Sequence, residues 1–380
     1  MDEIRLIELS GSPRTRGRQH GETLRHEIGA LYDTFRGLMA RGEHGAPGFD
    51  EATINAYAGA HWPAIRRDAP DLADEIEGIA EGAATSRDAI MTLTCVAEVR
   101  RLRQGRVRQS LIDAGHLAAE GQRGCTCFGV QGGAARDGNV YLGQNYDIEP
   151  LWTPIAFRIA AHDDSPAQVA IGHAGIMCEF GVNDAGIGFV ASAILVQDQR
   201  PGLPAPVIGR MILSRRTLSE ATDAVVKAER TIGIHYLIGS DFGLMDVETS
   251  AAQHAVTYVT ADSVAFANHI RADSLQPLSL GVYGHSTFVR EGRMMQLLAR
   301  SHGEISAGIL QACLADHADS PLSICGHVAD GRSTCESRAS VVLRPADGTL
   351  WVSDGTPCAH SWREIRAGGP GAVAGLRTVA

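Results

Sequence analysis

The hydrophobic pattern changes once along this chain, close to residue 125, and the change restricts the folds that it can adopt. Before it, apolar residues recur at helical spacing, as in the segment opened by Ser12-Pro13-Arg14 and in the run Pro70 to Gly82. After it, short β-like runs dominate, interrupted by helical segments at Thr217 to Arg230 and Arg293 to Leu314. Sheets with helices on their faces are typical of layered α+β proteins. We therefore predict such a fold, with a mainly helical N-terminal segment.

The strand-rich part begins with a predicted hairpin. Two β-like runs, Cys127–Val130 and Asn139–Leu142, flank Asp137-Gly138, a dipeptide typical of tight turns. Further strands are predicted at Ile155–Ala160, Gln168–Ile171, Ile187–Leu195, His235–Ile238, Gly243–Val247, Ala255–Val259, Ser340–Leu343 and Leu350–Ser353. Residues 101–124 are rich in Arg, Gln and Gly and have weak periodicity, so we expect an exposed connector there, in which a bond would be accessible to cleavage.

Composition argues against several functional classes. The chain of 380 residues has a net charge of −10, which disfavours nucleic acid or an anionic membrane as partner. Lys227 is the only lysine, so Schiff-base chemistry and a P-loop are not expected. The basic run Arg100 to Arg108 is interpreted as a solvated face, with binding of an anion as the alternative. The acidic start lacks a signal-peptide pattern and no long apolar run follows, so we expect a cytoplasmic protein without a membrane span.

The eight cysteines are expected to be free thiols in a reducing compartment. Cys325 with His317 and His327 would supply three metal ligands, but no second close pair of ligands accompanies them in the sequence, so we predict no metal. A serine hydrolase is also disfavoured, because the nearest approach to a G-x-S-x-G elbow, Gly331 to Cys335, lacks the second glycine.

The bond between Gly124 and Cys125 lies where the strand-like part of the chain starts. If the chain cuts this bond itself, Cys125 acquires a free α-amino group, whose pKa of roughly 7.7–8.0 lets it accept the thiol proton near neutral pH. Glycine suits such a cut because it has no Cβ and tolerates a strained backbone. The alternative is a small buried hydrophobic residue that enters a strand, as most isolated cysteines are.

Several short motifs occur in an order that resembles the acyl-coenzyme A:6-aminopenicillanic acid acyltransferase (isopenicillin-N acyltransferase) family of self-cleaving N-terminal-nucleophile hydrolases. The motifs are Ser12 to Glu22, Glu77 to Ala83, Gly124-Cys125-Thr126, Gln144-Asn145-Tyr146-Asp147, Gly181 to Ile187, Ala267-Asn268-His269, Asp316-His317, Ser323-Ile324-Cys325 and Leu350 to Cys358. The resemblance implies a four-layer αββα sandwich. It also implies two self-cleaved chains, 1–124 and 125–380, that form one compact unit.

The resemblance also implies roles for individual residues. Cys125 matches the nucleophile, and Asp147 matches the acid near the new amino terminus. Asn268 matches the amide that stabilises the oxyanion, with a second donor from the backbone or from Asn183. Taken alone, Asp147 would be interpreted as a turn residue at a strand end and the two asparagines as loop-capping amides.

Two further residues are assigned to substrate binding. Tyr146, beside Asp147, is one of them. The other is Arg290, a candidate anchor for an anionic group of the substrate, although relatives carry their arginine directly after a serine, where Thr287 stands here. The N-terminal segment also departs from the family pattern at Thr94-Cys95, so it is expected to shape the pocket differently.

The resemblance predicts an autoprocessed cysteine enzyme that hydrolyses or transfers an acyl group on an amide or thioester through an S-acyl intermediate on Cys125. No cofactor is expected, and acyl-coenzyme A is a candidate substrate. The expected partners are a small acyl compound and the two cleaved chains with each other, without nucleic acid or membrane. The alternative is a non-catalytic or uncleaved binding protein of the same fold.

Overall fold

The N-terminal segment is mainly helical, as predicted. The computed structural model describes residues 3–42, 46–113, 124–282 and 284–369, without the side chains of 106–113. Up to residue 113, the elements are β1 (Leu6–Leu9), α1 (Pro13–Thr23), α2 (Arg25–Ala40), α3 (Glu51–Gly59), α4 (Trp62–Asp68), α5 (Pro70–Ala83), α6 (Arg87–Thr94) and α7 (Val96–Asp113). The strand β1 is an addition that the helical pattern did not predict.

Helix α7 corrects the predicted connector at 101–124. Residues 101–113 of this segment are helical, because arginine and glutamine have good helix propensity even where no apolar stripe is present. Residues 114–123, including Arg123 before the predicted cut, lie outside the described residues.

Helices α1 and α5 cross at backbone contact. A Cβ at Gly17 would lie 2.1 Å from the carbonyl oxygen of Glu75, and one at Gly78 would lie 2.3 Å from that of Arg14. Such distances are far below van der Waals contact, so only glycine permits this crossing.

A buried ion cluster then links these two helices to the strand-rich part. The Glu75 carboxylate on α5 accepts hydrogen bonds from Arg16 Nε at 2.5 Å and from Arg210 Nη1 at 2.6 Å. Arg210 lies on α8 (Ala205–Leu213), and it also donates through Nε to Gln168. Burial raises the pKa of Glu75, but the two guanidinium groups outweigh it and lower the pKa overall. The structure thus buries Glu75 with its charge compensated.

The larger sheet has eight strands in the order β1-β4-β5-β6-β7-β8-β9-β10. Strand β1 pairs parallel with β4, and the remaining neighbours are antiparallel. The further members are β4 (Ile155–Ile159), β5 (Gln168–His173), β6 (Ile176–Asn183), β7 (Gly188–Ala193), β8 (Ile234–Ser240), β9 (Gly243–Thr249) and β10 (His254–Tyr258).

The smaller sheet has six antiparallel strands in the order β11-β2-β3-β12-β13-β14. They are β2 (Thr126–Val130), β3 (Tyr141–Ile148), β11 (Ser263–Phe266), β12 (Glu336–Arg344), β13 (Thr349–Ser353) and β14 (Trp362–Arg366). Strands β2 and β3 form the hairpin that Asp137-Gly138 predicted.

The two sheets pack face to face, with β2, β3 and β12 of one against β6, β7 and β8 of the other. Helices α8 and α9 (Leu218–Val226) cover the larger sheet, and α10 (Ser286–Arg300) and α11 (Ala307–Leu314) cover the smaller one. This is the predicted α+β sandwich with four αββα layers. A capping box formed by Thr217 and Glu220 opens α9, at the start of the predicted helical segment. None of the described helices is long and apolar enough to cross a membrane.

Candidate active site

A cavity of about 200 Å³ lies where the N-terminal helices meet the sandwich. Helices α6 and α7 contribute one wall, which includes Leu93 and Arg100. Strand β3 and residues from later in the chain, among them Phe180 and Asn268, also line the cavity. Both parts of the chain, before and after residue 124, therefore shape this cavity.

Gly124 and Cys125 line the cavity directly before β2. The side chain of Cys125 is buried, with 8% of the residue's surface exposed. The pKa of the Cys125 thiol is raised to about 12, chiefly by burial and also by the charge of Asp147, although the backbone amide of Asp147, the charge of Arg290 and the side chain of Gln144 oppose the rise. With its peptide bond to Gly124 intact, Cys125 is thus a protonated thiol held among hydrogen-bond donors, and it needs a base to become a nucleophile.

Asn268 lies flat against the backbone of Gly124. A Cβ at position 124 would lie 2.4 Å from Asn268 Oδ1 and 2.5 Å from its Nδ2. The sequence had suggested glycine here for its tolerance of a strained backbone, and the contact with Asn268 gives a second reason for glycine at this position. This second reason is one of space, because any other residue would displace the Asn268 amide.

Four hydrogen bonds fix the position of Asn268. Its Nδ2 donates to Ser192 Oγ at 2.8 Å and to the Ala193 carbonyl at 3.0 Å. Its Oδ1 accepts from Arg290 Nη2 at 3.1 Å, and its backbone N–H donates to Thr287 Oγ1 at 2.7 Å. Because both ends of the amide have directional partners, the Nδ2 edge faces the cavity wall in a defined orientation.

Arg290 has a different place from the one predicted. It is 1% exposed and is not among the described residues that line the cavity. Its Nη1 donates to the carbonyl oxygen of Cys125 at 2.6 Å and to Thr126 Oγ1 at 2.8 Å. Arg290 therefore holds the backbone that carries the thiol and, through Oδ1, the amide of Asn268. It does not reach the cavity as an anchor for an anionic substrate group.

Asp147 lies beside Cys125 at the end of β3 and lines the cavity. Its Oδ1 accepts a hydrogen bond from Ser337 Oγ at 2.6 Å. The backbone N–H of Gly326 in turn donates to Ser337 Oγ at 2.9 Å. The carboxylate is thus positioned by a hydroxyl that the next strand, β12, provides.

Tyr146 lines the cavity together with aromatic and acidic groups. Its ring packs edge-on against Phe180, and its hydroxyl lies 3.2 Å from His173 Nε2. Burial lowers the pKa of His173 to about 4, so the imidazole is neutral. Burial also raises the pKa of Glu179 to about 8, so this carboxyl is largely protonated at neutral pH. This end of the cavity is therefore mostly uncharged.

The structure does not bring Asn183 to the cavity. Its Nδ2 donates to the carbonyls of Leu213 and Arg215, and its Oδ1 accepts from the backbone amides of Ala185 and Ile187. Its Oδ1 thus caps the turn after β6 and its Nδ2 binds carbonyls at the end of α8, so the residue acts as a loop-capping amide.

Sequence reasoning missed two residues of the site. Gln144 faces the thiol and accepts from the backbone N–H of Ala191 through Oε1, and Thr287 receives the backbone N–H of Asn268. The signal for Gln144 was its position two residues before Tyr146 on one strand, which places both side chains on the same face. No local pattern indicates Thr287, which acts on a residue 19 positions away in the sequence.

Fold and site together define a layered α+β protein with a buried thiol at a cavity formed by both parts of the chain. The chain belongs to the acyl-coenzyme A:6-aminopenicillanic acid acyl-transferase family, whose sequence profile matches residues 134–358. This confirms the resemblance found in the sequence and indicates an enzyme of the acyltransferase class. The matched region starts after Cys125, so the family assignment does not depend on the proposed nucleophile.

The solved structures that are similar to this chain include two hydrolases. One is a variant of conjugated bile acid hydrolase from Clostridium perfringens, with 13% identity, a TM-score of 0.45, and coverage of 64% of this chain and 92% of that chain. The other is penicillin V acylase from Agrobacterium tumefaciens, with 12% identity, a TM-score of 0.45, and coverage of 64% and 86%. No residue role is transferred from either. No curated protein sequence matches this chain.

Proposed function

We propose that this protein is an autoprocessed cysteine enzyme that hydrolyses or transfers an acyl group through an S-acyl intermediate on Cys125. The observation that carries the proposal is the setting of the Gly124–Cys125 bond. The bond borders the cavity, Asn268 packs on the glycine, and Arg290 holds the carbonyl that follows. A cysteine that only fills space in the core would need none of these polar contacts.

In the proposed cleavage, Cys125 Sγ attacks the carbonyl carbon of Gly124. A thioester forms, the bond from that carbon to the Cys125 nitrogen breaks, and the thiol proton ends on this nitrogen. Water then opens the thioester, which leaves a carboxylate on Gly124 and a free thiol and amine on Cys125. Glycine favours the approach because nothing larger fits beneath Asn268.

The liberated amine supplies the base that the buried thiol lacks. An α-amino group with a pKa of roughly 7.7–8.0 removes the thiol proton far more readily than bulk water does. In its ammonium form it would lie beside the Asp147 carboxylate, which stabilises that charge during proton transfer. We therefore assign Asp147 to the amine of Cys125, with Ser337 as its positioning partner.

Asn268 is the proposed donor to the oxyanion of the tetrahedral intermediate. In the structure its two Nδ2 hydrogens point to Ser192 Oγ and to the Ala193 carbonyl, so the oxyanion would compete with these neutral acceptors. An anionic acceptor forms the stronger hydrogen bond, which favours this exchange only once charge develops.

The Asn268→Ala variant should lower kcat by on the order of 10²–10³-fold while KM changes little, because the lost hydrogen bond forms mainly in the transition state. The rate is to be measured per mole of cleaved protein, so that slower maturation is not mistaken for slower turnover. Asn139→Ala, in the β2–β3 connection, is the matched control. A wild-type kcat in Asn268→Ala would leave this residue a structural amide.

The cavity suits an apolar acyl group. Its walls include Leu93, Trp152 and Phe180, the Glu179 carboxyl is largely neutral, and Arg100 is paired with Glu149. The Asp147 carboxylate also lines the cavity, where it is assigned to the amine of Cys125. We propose a small acyl amide or thioester as substrate, with acyl-coenzyme A as one donor and water or an amine as acceptor. The chemistry needs no cofactor, because thiol, amine and amide groups supply every step.

Denaturing mass spectrometry of the purified protein tests the proposal directly. Two species should appear, residues 1–124 and 125–380, with Cys125 at the start of the second. A single full-length species in a sample that turns over substrate would rule out the self-cleaving mechanism. A full-length species without activity towards N-acyl amino acids, penicillins or acyl thioesters would favour the alternative, a non-catalytic binding protein.

A further inference from the structure

We propose a zinc site formed by His317, Cys325, His327 and Cys358. The ligand atoms of these four residues all lie within 4.8 Å of one another. The sequence alone offered three of them and lacked a fourth. The fold supplies it as Cys358, which lies 31 residues after His327.

Three of the six distances between the ligand atoms are close to those of a tetrahedral metal centre. His327 Nε2 lies 3.5 Å from Cys325 Sγ and 3.6 Å from Cys358 Sγ. Bond lengths of about 2.3 Å to sulfur and 2.0–2.1 Å to nitrogen place tetrahedral S and N ligands about 3.5–3.6 Å apart. His317 Nε2 lies 3.0 Å from His327 Nε2, close to the separation of roughly 3.3 Å that the same geometry gives for two nitrogens.

Two loops next to strands of the smaller sheet provide the four ligands. The connection from α11 to β12 carries His317, Cys325 and His327, and the segment after β13 carries Cys358. The backbone N–H of Cys325 donates to the Asp316 carbonyl at 3.0 Å, which holds the first and second ligands in register. Cys325 is buried, whereas His317 and Cys358 are exposed, so a metal ion can enter from solvent.

The donor set favours zinc. Two thiolates and two neutral imidazoles are a usual ligand set of structural Zn²⁺ and leave no position open for a substrate. Two thiolate charges balance those of Zn²⁺, so the bound site is electrically neutral. A clamp of this kind would fix the loop in which Gly326, next to Cys325, donates to Ser337 Oγ, the hydroxyl that holds Asp147.

The competing explanation is a disulfide between Cys325 and Cys358. It accounts for the proximity of the two sulfur atoms, but it gives no reason for two imidazole Nε2 atoms to converge on the same point. A metal ion accounts for all four side chains.

Zinc content of the full-length protein, expressed with Zn²⁺ and purified under reducing conditions, is the decisive measurement. We expect one equivalent per chain in the wild type and in Cys125→Ala, which separates this result from the proposed enzymatic function. His317→Ala and Cys358→Ser remove exposed ligands, so both variants should fold. Each should weaken zinc binding by more than the ~10–100-fold that loss of an outer-shell partner costs. His302→Ala, an exposed histidine paired with Asp262, is the matched control and should keep full zinc.

Substitution with Co²⁺ gives an independent readout in the wild type. Thiolate ligation should produce a charge-transfer band that the Cys358→Ser variant weakens. Equal zinc content in the wild type and both ligand variants would overturn the proposal. So would wild-type protein that binds no zinc and yields a Cys325–Cys358 disulfide in non-reduced peptides.

Discussion

Cys125→Ala should abolish both self-cleavage and turnover, so that the purified variant migrates as one chain of 380 residues. The reason is that in the proposed mechanism one sulfur atom acts twice: it attacks the carbonyl carbon of Gly124 and then carries the acyl group. Around the cavity, no hydroxyl or carboxylate of the described residues takes the place of the α-amine of Cys125. Intact mass and an acyl-release assay on the same sample measure the two losses together.

Cys127→Ala is the matched control for this experiment. Cys127 is buried two residues further along the same chain and is not among the described residues that line the cavity. The control should cleave and turn over like the wild type. If Cys127→Ala were instead uncleaved while Cys125→Ala matured normally, the nucleophile would have to be moved by two residues.

Glu75→Ala should destabilise the protein by about 3–5 kcal/mol, the cost of leaving a buried charge without its partner. Glu75 is 1% exposed and neutralises one of two guanidinium groups, those of Arg16 and Arg210, that are themselves almost fully buried. Denaturant unfolding in the Cys125→Ala background measures the effect, because there the chain is a single covalent piece and dissociation does not complicate the transition.

Glu77→Ala provides the comparison within the same helix. Glu77 pairs with Arg14 at the surface, where both side chains remain solvated, so its loss should cost less than about 1 kcal/mol. Equal effects of the two substitutions would mean that the buried cluster is not what links α1 and α5 to α8.

The sequence predicted the elements whose signals are local. Helix α5 was predicted from the proline at its start and the helical spacing of its apolar residues. The helical segment predicted at 293–314 forms two helices, α10 and α11, and α10 begins earlier, at Ser286. Strands without an alternating pattern were missed: β1, β6, β11 and β14. Helix α8 was missed as well. The burial of Glu75 had no local signal, since its partner Arg210 lies 135 residues further along.

The candidate site shows the same difference between local sequence signals and contacts of residues that are distant in the sequence. Motif order placed Cys125, Asp147, Tyr146 and Asn268 in one site, and the structure brings all four to the cavity. Arg290 was found by type but assigned the wrong contact, because a sequence does not show whether a guanidinium points to a ligand or to a backbone carbonyl. The fourth ligand of the proposed zinc site depends likewise on the approach of two loops that are distant in the sequence.

Strand β1 bears on whether residues 1–124 stay bound after the proposed cleavage. It pairs along its length with β4, and the Ile4 backbone N–H donates to Asp354 at the other end of the chain. A propeptide that is discarded after cleavage leaves an intact domain. Removal of residues 1–124 would instead remove the edge strand β1 from the larger sheet and the wall of the cavity that α6 and α7 form. These residues should therefore persist as a permanent subunit of the mature enzyme.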